Sequence, residues 1–247
     1  MNQFSSPLKR RIATLPNRYR LLSAFLVGIL GLGMMAPSNA SERIRWTPDT
    51  DRGNVGSTLS GGRRGYTATS CTSSNTPQLS LMVPGDHSRL LTTVTNPTMA
   101  WHMNTDIPIS MTFHFSDPTE ANPIYTQTIN LEKTATVSVT LPQDKSLAVG
   151  KKYRWTVLVS CPGENQTEIS ARSFVERVDR ESLVVTNNLS SLEQARIYAN
   201  QGIWYDAIAA LLAAGSQGET DAETMVQNLL EQGQSPAEVT LSAVMNF

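Results

Sequence analysis

The chain has 247 residues, 40% hydrophobic and 17% charged, an ordinary globular composition that excludes a disordered chain. Its 20 basic and 21 acidic residues nearly balance, but residues 1–40 hold five of the basic ones and no acid, so the remainder carries a net charge of −6. That excess lies in residues 189–247, with one basic residue, Arg196, and seven acids, which argues against nucleic acid or an anionic membrane surface as the partner of that part.

The first 40 residues read as a secretory signal. Lys9, Arg10, Arg11, Arg18 and Arg20 form a basic leader, residues 21–35 an uncharged apolar run, and Ser38 and Ala40 supply small residues before a cut expected at Ser41. The run has 15 residues with three glycines, short of the roughly 20 that a spanning helix needs, so cleavage is expected rather than a retained anchor. The expected location is the periplasm or the extracellular side of the cell envelope. Residues 41–70 are rich in Gly, Ser, Thr, Asn and Arg and read as a flexible arm. Within it, Arg63 and Arg64 between glycines are a candidate anion cradle, against the plainer reading of a solvated basic loop.

Cys71 and Cys161 are the whole cysteine count. In an exported protein two lone cysteines are expected to pair. Their bridge would close a 90-residue loop, worth about 4–5 kcal/mol in the chain-entropy model.

From residue 71 to 188 the chain reads as a β-sandwich. Short apolar runs recur between turn signals: 79–83, 90–94, 98–103, 109–116, 124–131, 136–141 and 168–178. The clearest strand lies in 147–161, entered through a turn at 149–151, where Tyr153, Trp155, Val157, Val159 and Cys161 alternate with Lys152, Arg154, Thr156, Leu158 and Ser160 and mark a buried face. Seven or eight such strands argue two packed antiparallel sheets rather than a parallel α/β sheet. Residues 142–153 resemble the corner of immunoglobulin- and fibronectin-like domains, where a tyrosine hydroxyl bonds back to the turn backbone; Tyr153 is the candidate. The cysteine follows that tyrosine by eight residues rather than two, so a bridge here would tie Cys71 to the end of the long strand.

After residue 188 the period becomes helical. Ser190/Glu193, Thr220/Glu223 and Ser235/Glu238 are capping boxes, and Gly202, Gly215 and Gly233 are expected stops. These signals predict helices at 191–201, 203–214, 221–232 and 236–244. Ala195, Tyr198, Gly202, Trp204 and Ala207 have the spacing of one tetratricopeptide unit, which does not recur 34 residues later. The appendage 189–247 is therefore expected to be a single hairpin plus two helices, packed on the sandwich.

No catalytic motif is legible. His87 lies beside Asp86 and Ser88, but chain neighbours cannot face one another as base and nucleophile. Asp49/Asp51 and Asp117/Glu120 are loop acids with nothing to hold them at a glycosidase separation. His102 and His114 point away from their strands' apolar stripes and would share a metal if those successive strands paired in register. Lys151, Lys152 and Arg154 form a candidate anion patch, able to hold the acidic helical tail or an anionic envelope polymer.

The ordered set Arg64…Cys71, 79–84 (LSLMVP), Thr93…Pro97…Trp101, 111–117, 124–131, 139–142 and Leu147…Gly150…Tyr153-x-Trp155…Cys161, followed by Ala195…Tyr198…Gly202…Ala207, resembles the cyanobacterial DUF928 family over about residues 63–212. The resemblance implies an exported protein and no known activity. The reading is a mainly β chain with an α C-terminal part: an immunoglobulin/fibronectin-like sandwich followed by a small helical bundle. No cofactor and no nucleic acid are expected. The expected role is non-enzymatic, in contact with another exported or outer-membrane protein. The alternative is a carbohydrate- or metal-binding module, or a weak hydrolase, using the outward sheet face.

Overall fold

The computed structural model describes residues 43–48, 77–85, 89–160, 168–179, 188–235, 237 and 241–247. The strands are β1 (Gln78–Leu81), β2 (Leu91–Thr92), β3 (Thr98–Asn104), β4 (Ile109–Ser116), β5 (Tyr125–Leu131), β6 (Ala135–Thr140), β7 (Lys152–Ser160), β8 (Glu168–Arg177) and β9 (Val244–Asn246). The helices are α1 (Ser191–Asn200), α2 (Trp204–Ser216) and α3 (Asp221–Gln232).

The strands form two sheets, β1-β3-β6-β9 and β2-β8-β7-β4-β5. This is the immunoglobulin-like plan. β1, β3 and β6 stand as its A, B and E strands; β4, β7 and β8 stand as C, F and G, with β5 extending the second sheet beyond C. The pairs β1–β3, β3–β6, β4–β5, β4–β7 and β7–β8 are antiparallel, whereas the short β2 runs parallel to β8 and β9 parallel to β6.

Each period-two stripe in the sequence becomes an inner face. Met99, Trp101 and Met103 meet Met111, Phe113 and Phe115 and also Trp155, Val157 and Val159, all almost wholly buried in one cluster. Two residues after Tyr153, where immunoglobulin domains place the second cysteine of their inter-sheet bridge, stands Trp155. Its ring centroid lies 6.2 Å from that of Trp101 on the facing sheet, and Trp101 stacks on Phe113 at 5.8 Å and 5°. Aromatic rings fill the place of that bridge. Trp101 Nε1 donates to Met111 Sδ at 3.3 Å, which partners its buried N–H. The corner is present: Tyr153 Oη accepts the Ala148 N–H at 3.1 Å, and Gly150, at φ +74°, makes the turn.

The helical layer has its own core, in which Leu192, Ala195, Ala199, Trp204, Ile208, Leu211, Met225, Val226 and Leu229 pack together. Ser190 caps α1 as expected: its Oγ accepts the Glu193 N–H at 3.2 Å, and Glu193 Oε2 accepts the Ser190 N–H at 2.8 Å. Gly202, at φ +74°, turns α1 into α2.

Three consecutive residues at the start of α2 fasten it to the sandwich. A helix advances 3.6 residues per turn, so neighbours point in different directions. Trp204 Nε1 donates to the Met82 carbonyl at 2.9 Å. Tyr205 joins the sandwich core, where its hydroxyl accepts from Trp155 Nε1 and donates to the Phe174 carbonyl, both at 2.7 Å. Asp206 accepts from Thr92 Oγ1 at 2.5 Å, from the Thr93 N–H at 2.9 Å and from the Thr93 hydroxyl.

Four expectations are corrected. The fourth helix is absent from the described part of 236–244: a 3-10 turn at Leu241–Ala243 leads into β9, which finds the free edge of β6. Thr220 makes no side-chain cap, because its own backbone is already helical. Gly215 lies inside α2, and the left-handed turn is at Gly218, φ +80°. Residues 43–48 do not behave as a flexible arm, because Ile44 and Trp46 are buried in the helical layer. The remainder of the arm, 49–70, lies outside the described residues.

Candidate functional site

Two regions gather side chains outside the sandwich core: the outer face of the five-stranded sheet and the helical layer with residues 43–48. Alternation on β7 sends Lys152, Arg154, Thr156 and Leu158 outward, opposite the buried Tyr153, Trp155, Val157 and Val159. The ladders then fix their neighbours. Lys152 lies across from Glu176, Arg154 between Phe174 and Ser116, and Thr156 between Arg172 and His114. The half of the face nearest Gly150 therefore gathers Lys152, Arg154, Arg172 and His114. Its acid, Glu176, is held by Arg89 in an ion pair. Arg172 was not singled out from sequence because its approach to Arg154 depends on the β7–β8 register.

Lys151, expected in the same patch, turns elsewhere. It pairs with Asp117 just beyond β4, and its ammonium lies 5.6 Å from the Tyr153 ring centroid. Lys151 and the Thr119 N–H and hydroxyl hold the Asp117 carboxyl at about 2, well below its ordinary 3.8. The acidic helical tail does not cover the basic face. α2 packs on β2 and β3, and the sheet β1-β3-β6-β9 carries the helical layer on its outer side, where Met82 and Ala100 join the helical core.

The two histidines are not brought together. The chain crosses between sheets after β3, so His102 lies in one sheet and His114 in the other, each on an outward face. His102 Nδ1 is 3.2 Å from Thr136 Oγ1, and His114 Nδ1 is 3.0 Å from Thr126 Oγ1. Among the described residues no group of three or more His, Cys, Asp or Glu converges as metal ligands. Arg63, Arg64, Cys71, His87 and Cys161 lie outside the described residues.

α1 and α2 form a hairpin, with Gly202 in left-handed backbone at its turn and the Trp204 ring fully buried. Its apolar core, however, takes in a further segment of the chain. Residues 43–48 lie against it with alternating burial, Ile44 and Trp46 buried and Arg43, Arg45 and Thr47 exposed. The Gln232 side chain grips the backbone twice: Oε1 accepts the Trp46 N–H at 2.8 Å, and Nε2 donates to the Ile44 carbonyl at 2.9 Å. The Thr47 N–H donates to the Ala199 carbonyl at 3.1 Å. Trp46 meets Trp204 edge-on at 4.8 Å and 83°. Fully burying a large apolar side chain gains about 1.5–3 kcal/mol. The indole N–H of Trp46, buried without an acceptor among the described residues, returns about 1–3 kcal/mol of that. Sequence reading missed this segment because its period-two signal spans only Ile44 and Trp46, next to a stretch of Gly and Ser.

A family profile described as Domain of Unknown Function (DUF928) matches residues 59–242. A search of curated proteins found no match.

Proposed function

The chain belongs to the DUF928 family, and from its surfaces we propose that it is a non-enzymatic binding protein of the cell envelope, with the outer face of the five-stranded sheet as its contact surface. The observation that carries this reading is the gathering of Lys152, Arg154, Arg172 and His114 on one sheet face, with Glu176 already engaged by Arg89. Phe174, half-buried across from Arg154, and Leu158, half-buried farther along the strand between Ser170 and Thr112, give the face an apolar component. Aromatic and arginine side chains together are the usual anchors of protein contacts. The complementary partner is an exported or outer-membrane protein with an acidic surface. The secretory pattern of residues 1–40 supports the envelope as the place of contact.

The test is crosslinking of the tagged protein in intact host cells, comparing the wild type with an Arg154→Glu/Arg172→Glu variant. One dominant exported partner, lost in the variant and weakened by raised salt, is the expected result. Recovery of glycan instead, or equal recovery of the partner by both proteins, overturns the reading.

A further inference from the structure

Residues 43–48 engage the helical layer as a peptide ligand engages a receptor. Main-chain groups are read by Gln232 and Ala199, and alternate side chains, Ile44 and Trp46, enter the apolar interior. Extended peptides are recognised in this way: backbone hydrogen bonds give sequence-independent affinity and alternate pockets give specificity. The segment belongs to no ladder of either sheet. It can therefore leave without breaking a strand pair. Residues 49–76, a connection of 28 residues, separate it from the described residue before β1. It is also an imperfect occupant, because the buried Trp46 Nε1 meets no acceptor among the described residues.

We propose that the α1–α3 layer is a binding site for an extended peptide bearing an aliphatic residue two positions before a tryptophan, and that residues 43–48 are its resident, displaceable occupant. The ligand in trans is a segment of that pattern on a partner protein. The tethered segment competes at high effective concentration and keeps the site closed to weaker ligands. The site is separate from the basic sheet face and stands or falls without it.

The probe is a labelled peptide of residues 43–48, followed by fluorescence anisotropy against the chain from residue 41. An Ile44→Ser/Trp46→Ser variant is expected to bind it about 100-fold more tightly than the wild type, whose own segment competes. Adding Gln232→Ala to that variant should remove the binding, and Arg154→Glu should leave it unchanged. A folded double variant that ignores the peptide, or that binds a scrambled peptide of the same composition equally well, overturns the proposal. Hydrogen exchange on the wild type decides the matter if the double variant does not fold. The Trp46 and Thr47 amides should then exchange through local opening, well before those of β4 and β7. Exchange of these two amides only with global unfolding would show that the segment is fixed core.

Discussion

Tyr153 stacks on Phe115 at 5.4 Å and lends its hydroxyl to the Ala148 N–H. Tyr153→Phe keeps the ring and loses the bond, and Ala148 is exposed enough for water to take over. The expected cost is about 1 kcal/mol by urea unfolding. Two carboxyls give the pH dependence opposite slopes. Asp117 is held at about 2 by Lys151 and Thr119, so its contribution is present above the ordinary 3.8 and is lost as pH falls towards 2. Asp206 is pushed up by burial, against the three hydrogen bonds it accepts. Its contribution is full below the ordinary value and is lost as pH rises through the raised one. Thermal midpoints measured against pH should therefore rise on mild acidification and fall again below about 4. Asp117→Asn should flatten the acid limb and leave the neutral limb as it was.

α2 is the element on which the two layers depend. Tyr205→Phe is the same chemical change as Tyr153→Phe, but here it leaves the fully buried Trp155 N–H without an acceptor. A cost of about 1–3 kcal/mol is expected, above that at the corner, and parallel urea titrations of the two variants check the order. Gly202→Ala puts a Cβ into left-handed backbone, and a loss of about 1–2 kcal/mol is expected in the same assay. How legible the elements were follows from their length and from where their partners lie. β3, β4 and β7 were readable because each repeats large apolar groups at period two over seven or more residues. The Ser235/Glu238 capping box signals a helix up to Val244, whereas β9, three residues too short to carry a period, is set by its pairing with the distant β6. β6 is buried on both faces under the C-terminal turn, so its alternation alone could not reveal that its polar residues are covered. Lys152 and Arg154 were visible as an outward pair, but their joining with Arg172 is a matter of register. The separation of His102 from His114 is likewise a matter of which sheet each strand enters.

At the scale of the molecule, the sandwich and the helical part fall in one compact unit, residues 41–247, and are expected to unfold together. Tyr205 completes the sandwich core, and β9 closes an edge of β6. Calorimetry of the chain from residue 41 should show a single transition. A fragment ending at residue 188 would lack Tyr205 and β9 and should show no cooperative melt. The four tryptophans of the chain fall into two pairs, Trp101 with Trp155 inside the sandwich and Trp46 with Trp204 inside the helical layer. All four are buried, so the native emission should be blue-shifted and poorly quenched by iodide. Each pair is a built-in optical gauge of one layer. Displacing the N-terminal segment would redden and expose Trp46 while the ring coupling of Trp101 and Trp155 in circular dichroism persists, so the two events can be told apart without attaching a dye.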